Sequence, residues 1–149
     1  MNLGSEGGFP VVIDTNIVLD LLVFKDAGCT HLRQALAQGQ RRWLASSAMR
    51  DELERVLGYP NLAPRLMQCQ LSAQQVLAEF DQKSQLVAAA ASARVRCTDP
   101  DDQIFVDLAV AHQALLLSKD QAVLALKKRL LDLGVVAQSM LPPLFEASP

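Results

Sequence analysis

Asp14, Glu52, Asp102 and Asp120 are acidic residues whose surroundings allow them to act together. Asp14 directly follows the apolar run Val11-Val12-Ile13, and Asp120 follows Leu115-Leu116-Leu117 across Ser118 and Lys119. Glu52 lies in a helical pattern after Arg42-Trp43-Leu44-Ala45, and Asp102 opens another after Arg94-Val95-Arg96-Cys97. Open parallel sheets bind ligands beyond the carboxyl ends of their strands, so these segments could bring all four acids to one edge. Carboxylates packed closely repel, and one pKa climbs unless a cation balances them. One or two Mg²⁺ or Mn²⁺ ions would supply that balance through hard oxygen ligands. Ions held in this way activate water and stabilise both oxygens of an in-line phosphodiester displacement.

Each acid has a plainer reading. Asp14 and Asp120 could simply cap the helices that follow them. Glu52 could be one of several exposed helix carboxylates, between Asp51 and Glu54. Asp102 stands among Asp99, Asp101 and Asp107, where a helix dipole favours acids at its start. Spacing prefers Glu52 to Asp51, because Glu52 borders the stripe of Leu53 and Val56 whereas Arg55 stands four positions after Asp51. It does not separate Asp102, which shares a face with Phe105, Val106 and Ala109, from Asp101, which shares one with Ile104, Phe105 and Leu108. The case for chemistry rests on joint placement.

The elements that would position these residues alternate. After a loose, glycine-rich leader over 1–9, Val11–Ile13 reads as a strand buried on both faces. A helix with Ile17, Leu21 and Phe24 on one face follows, then another from about Ala27 to Gln40. Arg42–Ala45 is the next strand, and Ser46 or Ser47 caps a helix that Gly58-Tyr59-Pro60 stops. Leu71–Ala91 is largely helical by composition, and Arg94–Cys97 could be a strand with alternating faces. A helix from the Thr98–Asp102 turn to about His112 precedes the strand Leu115–Leu117. The last helix ends at Leu133, before Gly134, and Val135-Val136 begins a short final strand. This alternation predicts an α/β fold, a three-layer α/β/α sandwich around a small, mostly parallel sheet, formed as one domain over 10–149.

Composition agrees. Among 149 residues, 50% are hydrophobic and 5% aromatic, enough for a core built from Leu, Val and Ala and too apolar for disorder. The formal net charge of −2 and pI of about 5.6 exclude a general cationic coat, although bound metal ions would restore positive potential locally. Arg41-Arg42, Arg94 with Arg96, Lys119 and Lys127-Lys128-Arg129 are the candidates for phosphate contact. Cys29, Cys69 and Cys97 show no ligand spacing and read as reduced thiols. His31 and His112 read as packing or surface residues. The start has no signal-peptide pattern, and no apolar run approaches the length of a membrane span; a cytoplasmic location, with no membrane partner, is expected.

At the acidic positions the sequence resembles the PIN-domain family, specifically its bacterial branch of toxins from toxin–antitoxin pairs. Val-Val-Ile-Asp-Thr-Asn at 11–16 is similar to the opening block, and Ser-Ala-Met-Arg-Asp-Glu-Leu-Glu-Arg-Val-Leu at 47–57 to the second. Asp-Pro-Asp-Asp-Gln-Ile-Phe-Val-Asp-Leu-Ala at 99–109 and Leu-Leu-Leu-Ser-Lys-Asp at 115–120 resemble the third and fourth. Aligned through Ala109, the resemblance selects Asp102 over Asp101. It implies metal-dependent endoribonuclease activity through Asp14, Glu52, Asp102 and Asp120 as metal ligands. Thr15, Asn16 and Ser118 would support the acids or position the phosphate. In the mechanism this suggests, a second metal or Lys119 would offset charge on the leaving oxygen. An antitoxin protein covering the acidic cleft and a homodimer are the partners it implies.

Two other classes compete. A phosphotransferase with an aspartyl nucleophile also places an Asp after its first strand, but here the residue two further on is Asn16 and the acidic pair precedes Lys119. A non-catalytic RNA-binding module would keep the acidic pocket without cutting. A nucleotide-binding site of the glycine-rich type has no motif to support it.

Overall fold

Val11, Val12 and Ile13 are buried to 2% exposure or less, because the strand they form has a neighbour on each side and helices over both faces. The computed structural model describes residues 8–140. Strand β1 (Phe9–Ile13) leads into α1 (Thr15–Leu22); a 3₁₀ turn (Ala27–Cys29) and α2 (Thr30–Ala37) precede β2 (Arg41–Ala45). Helices α3 (Ser47–Leu57), α4 (Ala63–Gln68) and α5 (Ala73–Lys83) lead to β3 (Ser84–Leu86). A long irregular stretch reaches the 3₁₀ turn Pro100–Asp102, then α6 (Gln103–His112), β4 (Leu115–Leu117), α7 (Gln121–Leu124), α8 (Lys127–Asp132) and β5 (Ala137–Gln138).

The strands pair in the order β3-β2-β1-β4-β5, all parallel. Val11 faces Trp43 on one side and Leu115 on the other, and Ile13 faces Leu117. The chain first winds outward through β2 and β3, then returns to β4 on the opposite side of β1. Right-handed crossovers place α1 to α5 on one face of the sheet and α6 to α8 on the other, giving the three layers. The order reverses between β1 and β4, which is where doubly wound sheets open a crevice. The core is aliphatic apart from a few rings; Trp43 and Phe80 meet edge to face at 5.0 Å.

The expected strand at Arg94–Cys97 is not formed. Its backbone groups are taken by side chains of α6: Cys97 N–H donates to Gln103 Oε1 (2.6 Å), and Gln103 Nε2 donates to the Val95 carbonyl (3.0 Å). The alternation of Arg94, Val95 and Arg96 therefore reflects Val95 packing onto the core, not a pleat. Nor does one helix span Leu71–Ala91. Helix α5 starts at a reciprocal box between Ser72 and Gln75 and ends at Lys83, and β3 follows at once. Smaller shifts concern the second helix, which begins with a 3₁₀ turn and ends at Ala37, and the last one, which is split into α7 and α8. The final strand lies two residues later than Val135-Val136, at Ala137–Gln138. Of the expected leader, only Gly8 and Phe9 fall within the described residues, and Phe9 opens β1 opposite Arg41. Among the described residues, no helix is long and apolar enough to cross a membrane.

Candidate metal centre

Asp14 extends the sheet by one residue before the chain turns, its N–H bonding to the Leu117 carbonyl at 2.9 Å. Its backbone stays extended as it caps α1, with Oδ1 accepting Thr15 N–H (2.7 Å). Oδ2 accepts the hydroxyl of Ser118 at 2.6 Å. Ser118, fully buried at the end of β4, also accepts the N–H of Asp120 (3.0 Å). Asp120 in turn caps α7 through Ala122 N–H at 2.9 Å. The capping reading of Asp14 and Asp120 is thus correct, and it accompanies their convergence.

Asp102 arrives from the other side of the crevice. Asp99 begins the 3₁₀ turn, its Oδ1 accepting Asp101 N–H (3.0 Å) and its carbonyl accepting Asp102 N–H (3.1 Å). That turn leaves Asp101 exposed and Asp102 buried at 6% exposure. One carboxylate oxygen each from Asp14, Asp102 and Asp120 then lies within 4.8 Å of the others. Asp102 Oδ2 is buried with no hydrogen-bond partner.

Glu52 flanks this trio. Half-buried on α3, it accepts the Thr15 hydroxyl through Oε2 at 2.9 Å. Asn16 is exposed on the first turn of α1. Lys119 turns away along α1, its ammonium paired with Asp20. Thr15 therefore links Asp14 to Glu52, and Ser118 links Asp14 to Asp120.

The electrostatics follow from this packing. Burial raises the Asp14 pKa, which the Ser118 and Thr15 hydrogen bonds partly offset and the charges of Asp120 and Asp99 reinforce. Glu52 is also raised, first by burial, with the Thr15 bond opposing and the Asp14 charge adding. Asp102 is pushed up to about 8 by burial, then by its contact with Asp120 and the charges of Asp14, Asp120 and Asp99. At an effective dielectric of about 20, two ionised carboxylates at the 4.8 Å limit of the trio repel by about 3 kcal/mol. A hydrogen bond contributes about 1 kcal/mol net, so bonding alone does not hold three charges together. Hard oxygen donors, mutual repulsion and an orphaned buried oxygen fit a divalent cation such as Mg²⁺ or Mn²⁺.

Gln103 and Asp107 also matter, and the sequence reading assigned neither a role. Gln103 is 7% exposed, and besides holding the 95–97 backbone it donates to Asp107 Oδ1 (2.8 Å), which also accepts Ala93 N–H (2.8 Å). The signal was available as a Gln–Asp pair four apart on one helix face.

The PIN domain model matches residues 10–122, a span that includes all four acids, and the chain belongs to that family. No curated protein matches it by sequence. Among solved structures, the fold is similar to that of a chain in VapBC2 from Rickettsia felis, crystallised bound to a DNA fragment from their promoter. That match has a TM-score of 0.59 and 15% identity, and it covers 86% of this chain and 98% of the other.

Proposed function

We propose that this chain is a divalent-metal-dependent endoribonuclease, acting in the cytoplasm as the toxin of a toxin–antitoxin pair. The observation that carries the reading is the trio of buried Asp14 and Asp102 with half-buried Asp120, in which one carboxylate oxygen is unpartnered. Membership of the PIN domain family and the fold shared with VapBC2 support it. In this reading Asp14, Asp102 and Asp120 hold Mg²⁺ or Mn²⁺, and the Thr15 bond to Glu52 favours including Glu52 in the set. The bound ion supplies a lowered pKa for attacking water and positive charge at the phosphodiester.

The chain's own part is positioning and proton control. Ser118 aims Asp14 and steadies the Asp120 loop, Thr15 orients Glu52, and Asp102 gives up a proton as the site loads. Because Lys119 pairs with Asp20, a role at the leaving oxygen requires that pair to open. An antitoxin and a homodimer remain the proposed partners.

The test is cleavage of a labelled mixed-sequence RNA with Mn²⁺, Mg²⁺ or EDTA, comparing wild type with Asp14→Asn. Metal-dependent cutting that vanishes in the variant supports the assignment, and an Asp14→Asn protein that cuts at the normal rate sinks it. RNA binding without cutting, indifferent to metal, would establish the non-catalytic module instead.

A further inference from the structure

We infer that Arg94 and Arg96 form a fixed cationic rail that grips the phosphate backbone of single-stranded RNA beside the acidic trio. The inference rests on the nuclease reading for the identity of the ligand. An acidic site repels a polyanion, so a strand delivered there needs cations close by. Many cations are engaged or misplaced, and Arg55, exposed on α3 near Glu52, is a single charge. Arg50 pairs with Asp81, Lys83 with Glu79 and Lys119 with Asp20. Arg41 stacks on Phe9 and Arg42 bonds the Gly8 carbonyl, both at the amino-terminal start of β2, the edge opposite the acids. Lys127, Lys128 and Arg129 lie on α8, which leads from the Asp120 side towards the start of β5.

Arg94 and Arg96 differ on each count. Both are exposed, they flank the buried Val95, and neither forms an ion pair with a described residue. Their segment runs antiparallel to α6 towards its first turn, with Ala93 bonded to Asp107 and Val95 and Cys97 to Gln103. Gln103 is the immediate neighbour of Asp102, so the rail leads directly to the acids. Three hydrogen bonds to Gln103 and Asp107, which are themselves bonded to each other, hold this irregular backbone in place. Little loop ordering then remains to oppose binding.

The experiment measures binding of a fluorescent mixed-sequence RNA oligomer by anisotropy, with Mg²⁺ and a KCl series, on the full chain carrying Asp14→Asn. Adding Arg94→Ala and Arg96→Ala is expected to raise Kd about tenfold and to flatten the log–log salt slope by about 1.4, two phosphate contacts of roughly 0.7 each. Arg94→Lys with Arg96→Lys keeps most of the slope. The rail is overturned by a folded alanine pair with unchanged Kd and slope, by an equal loss from Lys127→Ala with Lys128→Ala, or by a parent chain that binds no RNA. If the wild type fails to cut while the rail effect persists, only the nuclease reading falls.

Discussion

The hydroxyl of Ser118 reaches Asp14 across 104 residues of sequence and does so at 2.6 Å. The bond ties the ends of β1 and β4 together and restrains the carboxylate of the most enclosed ligand candidate. Replacing Ser118 with Ala should leave the fold intact yet weaken metal use by about 10- to 100-fold, as is usual for groups that orient ligands. A Mn²⁺ titration of RNA cleavage checks this. An unchanged half-saturation would show that Asp14 needs no such support.

Asp102 sets a pH dependence with a definite sign. Its folded pKa, about 8, lies above the ordinary carboxylate value, so the folded protein holds that proton more tightly than the unfolded chain. The stabilisation is complete below the unfolded pKa and is lost as pH rises towards 8. In EDTA, melting temperature should fall from pH 5 to pH 8 and level off above that, and Asp102→Asn should flatten the slope. Equal slopes for both proteins would remove Asp102 as the cause.

Loading the site displaces the same proton, so metal affinity should strengthen as pH rises to about 8 and change little beyond. Calorimetry in buffers of different ionisation heat would count the released protons. A proton count near zero at pH 7 contradicts the assignment.

Asp14→Asn offers a contrast between stability and activity. Removing the Asp14 charge relieves its repulsion with Asp120 and its burial cost, and the metal-free variant should melt above the metal-free wild type although cleavage is lost. Differential scanning calorimetry in EDTA decides the point, and a lower melting temperature would mean that the Ser118 and Thr15 bonds to the carboxylate outweigh the repulsion.

Gln103→Leu strands the Cys97 N–H and the Val95 carbonyl and should cost about 2–4 kcal/mol. Urea unfolding measures that loss. Hydrogen exchange should show faster amides at Ala93 and Cys97 specifically, and uniform acceleration would indicate a general core defect instead.

The parts of this molecule that were legible in the sequence are those where burial leaves a one-dimensional mark. Val11–Ile13 and Leu115–Leu117 are unbroken apolar runs because both sit in the middle of the sheet. Strand β3 left no such mark: Ser84-Gln85-Leu86 lies at the sheet edge and is at best half-buried, so its residues need not be apolar. Arg94–Cys97 imitated a strand because a buried Val between exposed arginines has the same alternation whether its backbone is paired to a sheet or clamped by side chains. Within the site, Asp14 and Asp120 could be placed from the strands they follow. Asp102 and Asp101 could not be separated by period, since the 3₁₀ turn between Asp99 and Gln103 shifts the helical phase just where the choice is made. The Asp20 partner of Lys119 lies far off in sequence, and no local pattern announces it.

The strand order has one more consequence. Asp14 is supplied early in the chain, whereas Asp120 and its Ser118 tether come only after β4, so the trio spans almost everything from the first strand to the fourth. During synthesis, a nascent chain that has not yet released β4 from the ribosome carries Asp14, Glu52 and Asp102 but lacks the third wall of the crevice. A product truncated before Asp120 lacks the complete trio for the same reason, so the proposed activity is expected to be absent from it.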